Sequence, residues 1–324
     1  MNLLSALLAG PGPASGREAL LLFFKGFGMG VADIIPGVSG GTIAFITGIY
    51  EDLLAAIKSV GSRCLQRLFS LDLTGAIAEV HTRFLLPLLI GIASAILLAA
   101  HAINYLLVHC PVPVWSLFFG LITASVVVVA GHLSRFGILQ AILLLAGGVC
   151  AYFIVGMIPV QTPETLWFVF LSGVIAICAM ILPGISGAFL LLILGKYEFV
   201  TQAVRNPLQT DSIVILIVFG LGCAFGIAGF SRFLHYLLRR HHDATVAVLT
   251  GVMLGSLRKV WPWKVVLEER IIAGKSFVVK TANVLPGRVD TELLLALLLM
   301  IIGFVAVLLL ERGGARKRIS QMSA

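Results

Sequence analysis

Long apolar runs separated by short polar stretches dominate the chain. No Asp, Glu, Lys or Arg occurs from Phe84 to Ser134, from Phe136 to Pro163 or from Thr165 to Gly195. A helix crosses a hydrocarbon core with roughly 20 mostly apolar residues, so these runs predict transmembrane helices. Six are read, at about 84–108, 113–131 and 137–157, and again at about 212–231, 244–257 and 293–310. The segments flanking Pro36 and Pro183 are different, because each is short and broken by Pro-Gly. Segments of about 12 to 18 residues do not cross comfortably alone, and proline removes a backbone donor. Each break therefore predicts a re-entrant helical hairpin that dips to the midplane and returns to the side it entered from. Non-helical backbone at that depth must be buried in protein or line a wet cavity.

The two breaks are copies. Pro36-Gly37-Val38-Ser39-Gly40 returns as Pro183-Gly184-Ile185-Ser186-Gly187, an offset of 147 residues from Pro36 to Pro183. In the same register Gly26 matches Gly173, Gly48 matches Gly195, Tyr50 matches Tyr197 and Glu51 matches Glu198. The chain thus divides into a first repeat at 20–157, with its hairpin around 36–41, and a second at 165–311, with its hairpin around 183–187. A hairpin plus three crossings places the second half on the opposite side. The expected fold is one all-α integral membrane domain made of two inverted-topology repeats, each a hairpin and three transmembrane helices. The two turns are expected to meet near the midplane from opposite sides.

Composition agrees with this pattern. The 324 residues are 59% hydrophobic and 12% charged, and a mean hydropathy of +1.07 excludes a water-soluble domain. In a soluble protein the net charge of +8 would suggest nucleic acid. Here the basic residues lie in short segments between apolar runs, which is the positive-inside pattern of a bacterial inner membrane. With both termini cytoplasmic, Lys58, Arg63, Arg67, Arg83, Arg135, Arg232, Arg239, Arg240, Arg312, Arg316, Lys317 and Arg318 fall inside, and the outer loop at 158–164 carries none. One segment opposes the rule: from Arg258 to Asp290, seven basic residues fall outside. Met1 to Gly16 lacks a basic n-region and reads as a membrane-surface leader. The five cysteines are scattered without CxxC or a nearby His pair, so no disulfide, metal or cofactor is expected.

The chemistry is expected at the two turns. Proline stops the incoming helix, glycines allow close backbone approach, and Ser39 and Ser186 can cap the outgoing helices. Free N–H groups at two converging helix ends would attract an anion without a buried lysine. Pro36, Gly37, Ser39, Gly40, Gly41 and Thr42, with Pro183, Gly184, Ser186 and Gly187, are the candidate substrate-binding residues. Phe189 stands where the first half has Thr42, so the two sides are not equivalent. Tight packing alone is the competing account of these small residues. Asp33 lies three residues before Pro36, and its counterpart is Met180. An unmatched acid in the membrane points either to a coupling proton or to hydrogen bonding of the broken turn. Glu51 and Glu198 are further candidates for proton coupling. They lie about 16 Å beyond the turns along a helix, where snorkelling beside Tyr50 and Tyr197 is the competing role.

The run from Gly30 through Asp33, Pro36-Gly-Val-Ser-Gly-Gly-Thr42 and Gly48-Ile-Tyr-Glu51, with Leu182-Pro-Gly-Ile-Ser-Gly187 and Gly195-Lys-Tyr-Glu198, resembles a bacterial family. That family was once labelled domain of unknown function 368 and is now associated with PopT-type undecaprenyl-phosphate translocation. The resemblance covers nearly the whole chain. It implies a transporter, not an enzyme, that returns the carrier lipid phosphate across the membrane for cell-wall and surface-polysaccharide synthesis. The residues themselves indicate a membrane protein with a duplicated, anion-suited site. They leave open a small-anion channel or exchanger and, less favoured for want of phosphatase motifs, a lipid-phosphate phosphatase.

Overall fold

The computed structural model describes residues 5, 7, 9–35, 37–60, 64, 66, 67, 70, 72–160, 162–272 and 275–322, and of these 269–280 and 313–322 through their backbone only. Pro36 and Arg63 lie outside the described residues. The first half contains α1 (Gly16–Ile34), α2 (Gly40–Ile46), α3 (Tyr50–Ser59), α4 (Leu73–Glu79), α5 (Thr82–His109), α6 (Pro111–Gly131) and α7 (Ile138–Ile154). The second contains α8 (Leu166–Ile181), α9 (Gly187–Ile193), α10 (Tyr197–Arg205), α11 (Thr210–Arg240), α12 (His242–Val260), the strands β1 (Lys264–Ile272) and β2 (Lys275–Asn283), and α13 (Thr291–Met322).

Among the described residues, α5, α6, α11 and the Thr291–Arg312 part of α13 are long and apolar enough to cross a membrane, and α7 and α8 are shorter apolar helices. The distribution of polarity is inverted relative to a soluble protein. Leu97, Leu98, Ile138 and Phe225 face outward, while Ser39, Thr42, Ser125, Thr250 and Ser256 are buried. Lipid rewards that arrangement, because exposed apolar side chains cost nothing there and polar groups find partners inside. The protein is a multi-pass membrane protein.

Close helix pairs set the frame. Gly26 of α1 rests on Leu88 of α5, and Gly30 rests on Ile92 and Ala95, so α1 and α5 run side by side in one direction. Gly222 of α11 rests on Phe170 of α8, and Gly226 rests on Val174 and Ile177, which gives the same parallel arrangement in the second half. A β-carbon at Gly26, Gly30 or Gly222 would overlap a carbonyl of the partner helix, and one at Gly226 the Ile177 side chain. The turn after α1 lies near the level of the middle of α5, well short of its far end. Between the halves, α12 packs against α6 and α7 and is buried from Thr245 to Val260 along much of its length.

Two features depart from the expected plan. The helix leaving each turn does not continue to the glutamates. It ends after seven residues, and the chain then bends by 118° into α3 and by 111° into α10. Gly48 (φ 69°) and Gly195 (φ 63°) make the bends, so Glu51 and Glu198 begin separate helices. The second departure is an antiparallel β-hairpin in an otherwise helical chain, with Lys264 opposite Asn283 and Ile272 opposite Lys275. Its Val- and Ile-containing strands suit extended backbone, and with six charged residues they make a poor membrane helix. The hairpin is tied to the end of α12. Trp261 Nε1 donates to the Val284 carbonyl (2.8 Å), Asn283 Nδ2 to the Arg258 carbonyl (2.8 Å), and the Val284 N–H to the Trp263 carbonyl (3.0 Å).

Candidate functional site

The first turn is closed by its own side chains. After α1 ends at Ile34, Ile35 is extended and Gly37 takes φ +91°, a left-handed conformation that a β-carbon resists. Asp33 reaches across the break, and its Oδ1 accepts the Gly40 N–H at 2.7 Å. Ser39 Oγ accepts the Gly41 N–H at 3.1 Å, which caps α2. The second turn repeats the backbone without the side chains. Leu182 is extended, Pro183 is buried, Gly184 has φ +96°, and Ser186 occupies the cap position of α9 with no side-chain cap bond.

The two turns touch. Ser39 Oγ donates to the Leu182 carbonyl at 3.2 Å, and Thr42 Oγ1 accepts the Gly184 N–H at 2.9 Å. Gly41 lies so close that a β-carbon there would be 3.0 Å from the Ile181 carbonyl oxygen. Tyr50 adds a bond from its hydroxyl to that same carbonyl at 3.0 Å. Gly37, Ser39, Gly40, Gly41, Thr42, Gly184, Ser186 and Gly187 are therefore one buried cluster. Three N–H groups that the sequence reading leaves free for an anion, those of Gly40, Gly41 and Gly184, are engaged by Asp33, Ser39 and Thr42.

The remaining candidates lie apart. Glu51 is exposed at the start of α3, and Glu198 pairs with Arg205 along α10 at 3.5 Å. Tyr50 does not snorkel, being 3% exposed and bonded into the second hairpin, whereas its counterpart Tyr197 is 38% exposed. The bend at Gly48 turns Tyr50 inward.

Two lysines outside the motifs border the cluster. Lys259, at the end of α12, lays its aliphatic stem on Gly37, where an added β-carbon would lie 2.5 Å from the lysine Cγ. Its Nζ sits over the Phe189 ring at 4.2 Å. Lys264, the first residue of β1, donates to the Lys259 carbonyl at 2.5 Å and lies over the Trp115 ring at 3.9 Å. Burial and the neighbouring Lys259 ammonium hold Lys264 below the ordinary lysine value. The signal for these lysines was the basic segment that opposed the charge rule.

The serines are expected to differ. Ser39→Ala removes both a cap and a bond between hairpins and should lower stability by about 1–2 kcal/mol. Ser186→Ala loses no such bond and should melt close to the parent, as followed by thermal unfolding in detergent. Equal losses from both would contradict the asymmetry.

Comparisons with known proteins bear on this site. The family model described as undecaprenyl phosphate translocase-like matches residues 29–277, which include both turns and both lysines. A protein of Vibrio cholerae serotype O1 named polyprenyl-phosphate transporter is 42% identical over 300 residues, covering 90% of this chain and 96% of that protein. A Staphylococcus aureus protein of the same name is 30% identical over 253 residues, covering 74% of this chain and 84% of that one. No solved structure matches the chain significantly.

Proposed function

The chain belongs to the undecaprenyl phosphate translocase-like family, and from that premise we propose that it carries polyprenyl phosphate between the leaflets of the bacterial inner membrane with the joined Pro-Gly turns as the element the substrate passes. It is a transporter, not an enzyme, and recycling of the lipid carrier for cell-wall synthesis is the process served. The observation that carries the reading is the direct contact of two broken hairpins inside an apolar bundle, through Ser39 to Leu182 and Thr42 to Gly184. Irregular backbone at such a point is tolerated in membrane proteins where substrates pass.

The halves at 20–157 and 165–311 are inverted repeats in this reading. Support comes from the loop after α7, which meets the outer end of the second hairpin. The Val160 N–H donates to the Ile193 carbonyl (2.9 Å), and Lys196 Nζ to the Thr162 carbonyl (2.8 Å). That end is three crossings away from the start of α5. Both termini then face the cytoplasm. Pro36, Gly37, Ser39, Gly40, Gly41, Thr42, Pro183, Gly184, Ser186 and Gly187 form the substrate passage, and Asp33 is the first candidate for proton coupling, ahead of the outlying Glu51 and Glu198.

Reconstitution tests the function directly. Proteoliposomes holding the full chain should move labelled polyprenyl phosphate to the opposite leaflet intact, with no release of inorganic phosphate and no halide flux. Protein-free rates of lipid movement would refute translocation. Halide flux without lipid movement would make the protein an anion channel.

A further inference from the structure

We propose that Lys259 and Lys264 form the seat for the phosphate monoester of the lipid, at the end of α12 beside the first turn. The assignment rests on the polyprenyl-phosphate reading and supplies the charge that the turns lack. The Gly40, Gly41 and Gly184 N–H groups are committed internally, and the positive end of α2 already holds the Asp33 carboxylate. A phosphate arriving there needs cations from elsewhere.

The lysines fit that need. Among the described residues neither Lys259 nor Lys264 is ion-paired with a carboxylate, unlike Arg67 with Asp72 and Glu79 or Arg205 with Glu198. A half-buried ammonium without a counter-ion is costly, and an anion that binds there removes the cost. The rings of Phe189 and Trp115 hold the two cations in place without cancelling their charge. The Lys264 ammonium reaches back to the Lys259 carbonyl, so both lysines are gathered at one turn of chain. Lysine presents its charge as a compact point with three rotatable donors, which suits a tetrahedral phosphate.

Two features of the sequence acquire a reason. Phe189 replaces the repeat's Thr42 because the second half presents a ring to Lys259, whereas the first half presents a hydroxyl to Gly184. Gly37 leaves the room that the Lys259 stem occupies. The basic charge at 258–264 persists on the face where basic loops are otherwise disfavoured because a ligand requires it there. That face is opposite the start of α1, where lipid phosphate is taken up in the recycling direction.

The test is binding to the full chain in nanodiscs of phosphatidylcholine. The probes are polyprenyl phosphate, the neutral polyprenol, phosphatidylglycerol and inorganic phosphate as competitor. Wild type should prefer polyprenyl phosphate to polyprenol. Lys259→Gln and Lys264→Gln should each weaken binding of the phosphate form by about tenfold, the loss of one charged hydrogen bond. The double variant should bind both lipids alike, and Lys→Arg at both positions should retain the preference. Neither phosphatidylglycerol nor inorganic phosphate should displace the lipid at equal concentration. Displacement by inorganic phosphate would make this a soluble-anion site, and displacement by phosphatidylglycerol a general headgroup site, and either would overturn the proposal. A double Gln variant that keeps wild-type affinity and preference would also overturn it while leaving the transport reading intact. Wild type that fails to distinguish polyprenyl phosphate from polyprenol would instead remove the functional reading itself. Circular dichroism and melting accompany each variant. Should loss of the Lys259 stem unfold the protein, Lys264→Gln alone decides.

Discussion

Valine at position 184 is expected to abolish transport and to leave a protein that melts far below the parent. Gly184 sits at φ +96°, where a β-branched residue is strained by roughly 1–3 kcal/mol. Its β-carbon would also lie 2.9 Å from the Met253 Cα on α12, a backbone atom that cannot rotate away. Overpacking of this kind adds typically 1–3 kcal/mol, and the shift it forces breaks the bond from the Gly184 N–H to Thr42 Oγ1. Together these losses are a large part of the 5–15 kcal/mol that holds an ordinary domain. Gly220→Val on α11 is the control, because a β-carbon there meets nothing within 4 Å. Thermal unfolding in detergent and lipid transport in proteoliposomes should separate the two variants sharply. A Gly184→Val protein with parental melting and transport would mean that the turns need not seat against α12.

Replacing Asp33 should produce two distinct phenotypes. Asp33→Ala deletes the acceptor of the Gly40 N–H and leaves that group buried and unpaired, at a cost of about 1–3 kcal/mol. Transport should fall with the loss of the turn. Asp33→Asn keeps an oxygen at the same distance from Gly40 and removes only the titration. Its transport should proceed without the response to an imposed pH gradient that the parent shows, if protons enter through this carboxyl. Uptake of labelled polyprenyl phosphate with and without the gradient, in parent and Asp33→Asn, reads the difference. An Asn variant that follows the gradient as fully as the parent would assign Asp33 to the scaffold and exclude it from coupling. In either case the Asp33 carboxylate accepts the Gly40 N–H across the break after α1.

Hydropathy, the Pro-Gly breaks and the internal repeat are written locally, and for that reason a membrane protein with two Pro-Gly turns, and its family, were legible in the order of residues. Apolar runs report the solvent, and proline and glycine restrict or free the backbone at their own positions whatever surrounds them. The partners of those turns are a different matter. Thr42 meets Gly184 across 142 residues and Ser39 meets Leu182 across 143, and no periodicity specifies such pairs. The bend at Gly48 was visible as a glycine, but that it turns Tyr50 inward to Ile181 depended on where the second hairpin lay. Local chemistry alone leaves the backbone donors of the turns free for an anion. The occupation of the Gly40, Gly41 and Gly184 donors by Asp33, Ser39 and Thr42 follows from packing, which brings these acceptors within hydrogen-bond distance. The basic stretch after α12 was legible only as a violation of the charge rule. The tertiary structure alone decided that it forms a β-hairpin whose first lysine folds back beside Lys259, because a cation without a carboxylate is placed by the aromatic faces and helix end around it.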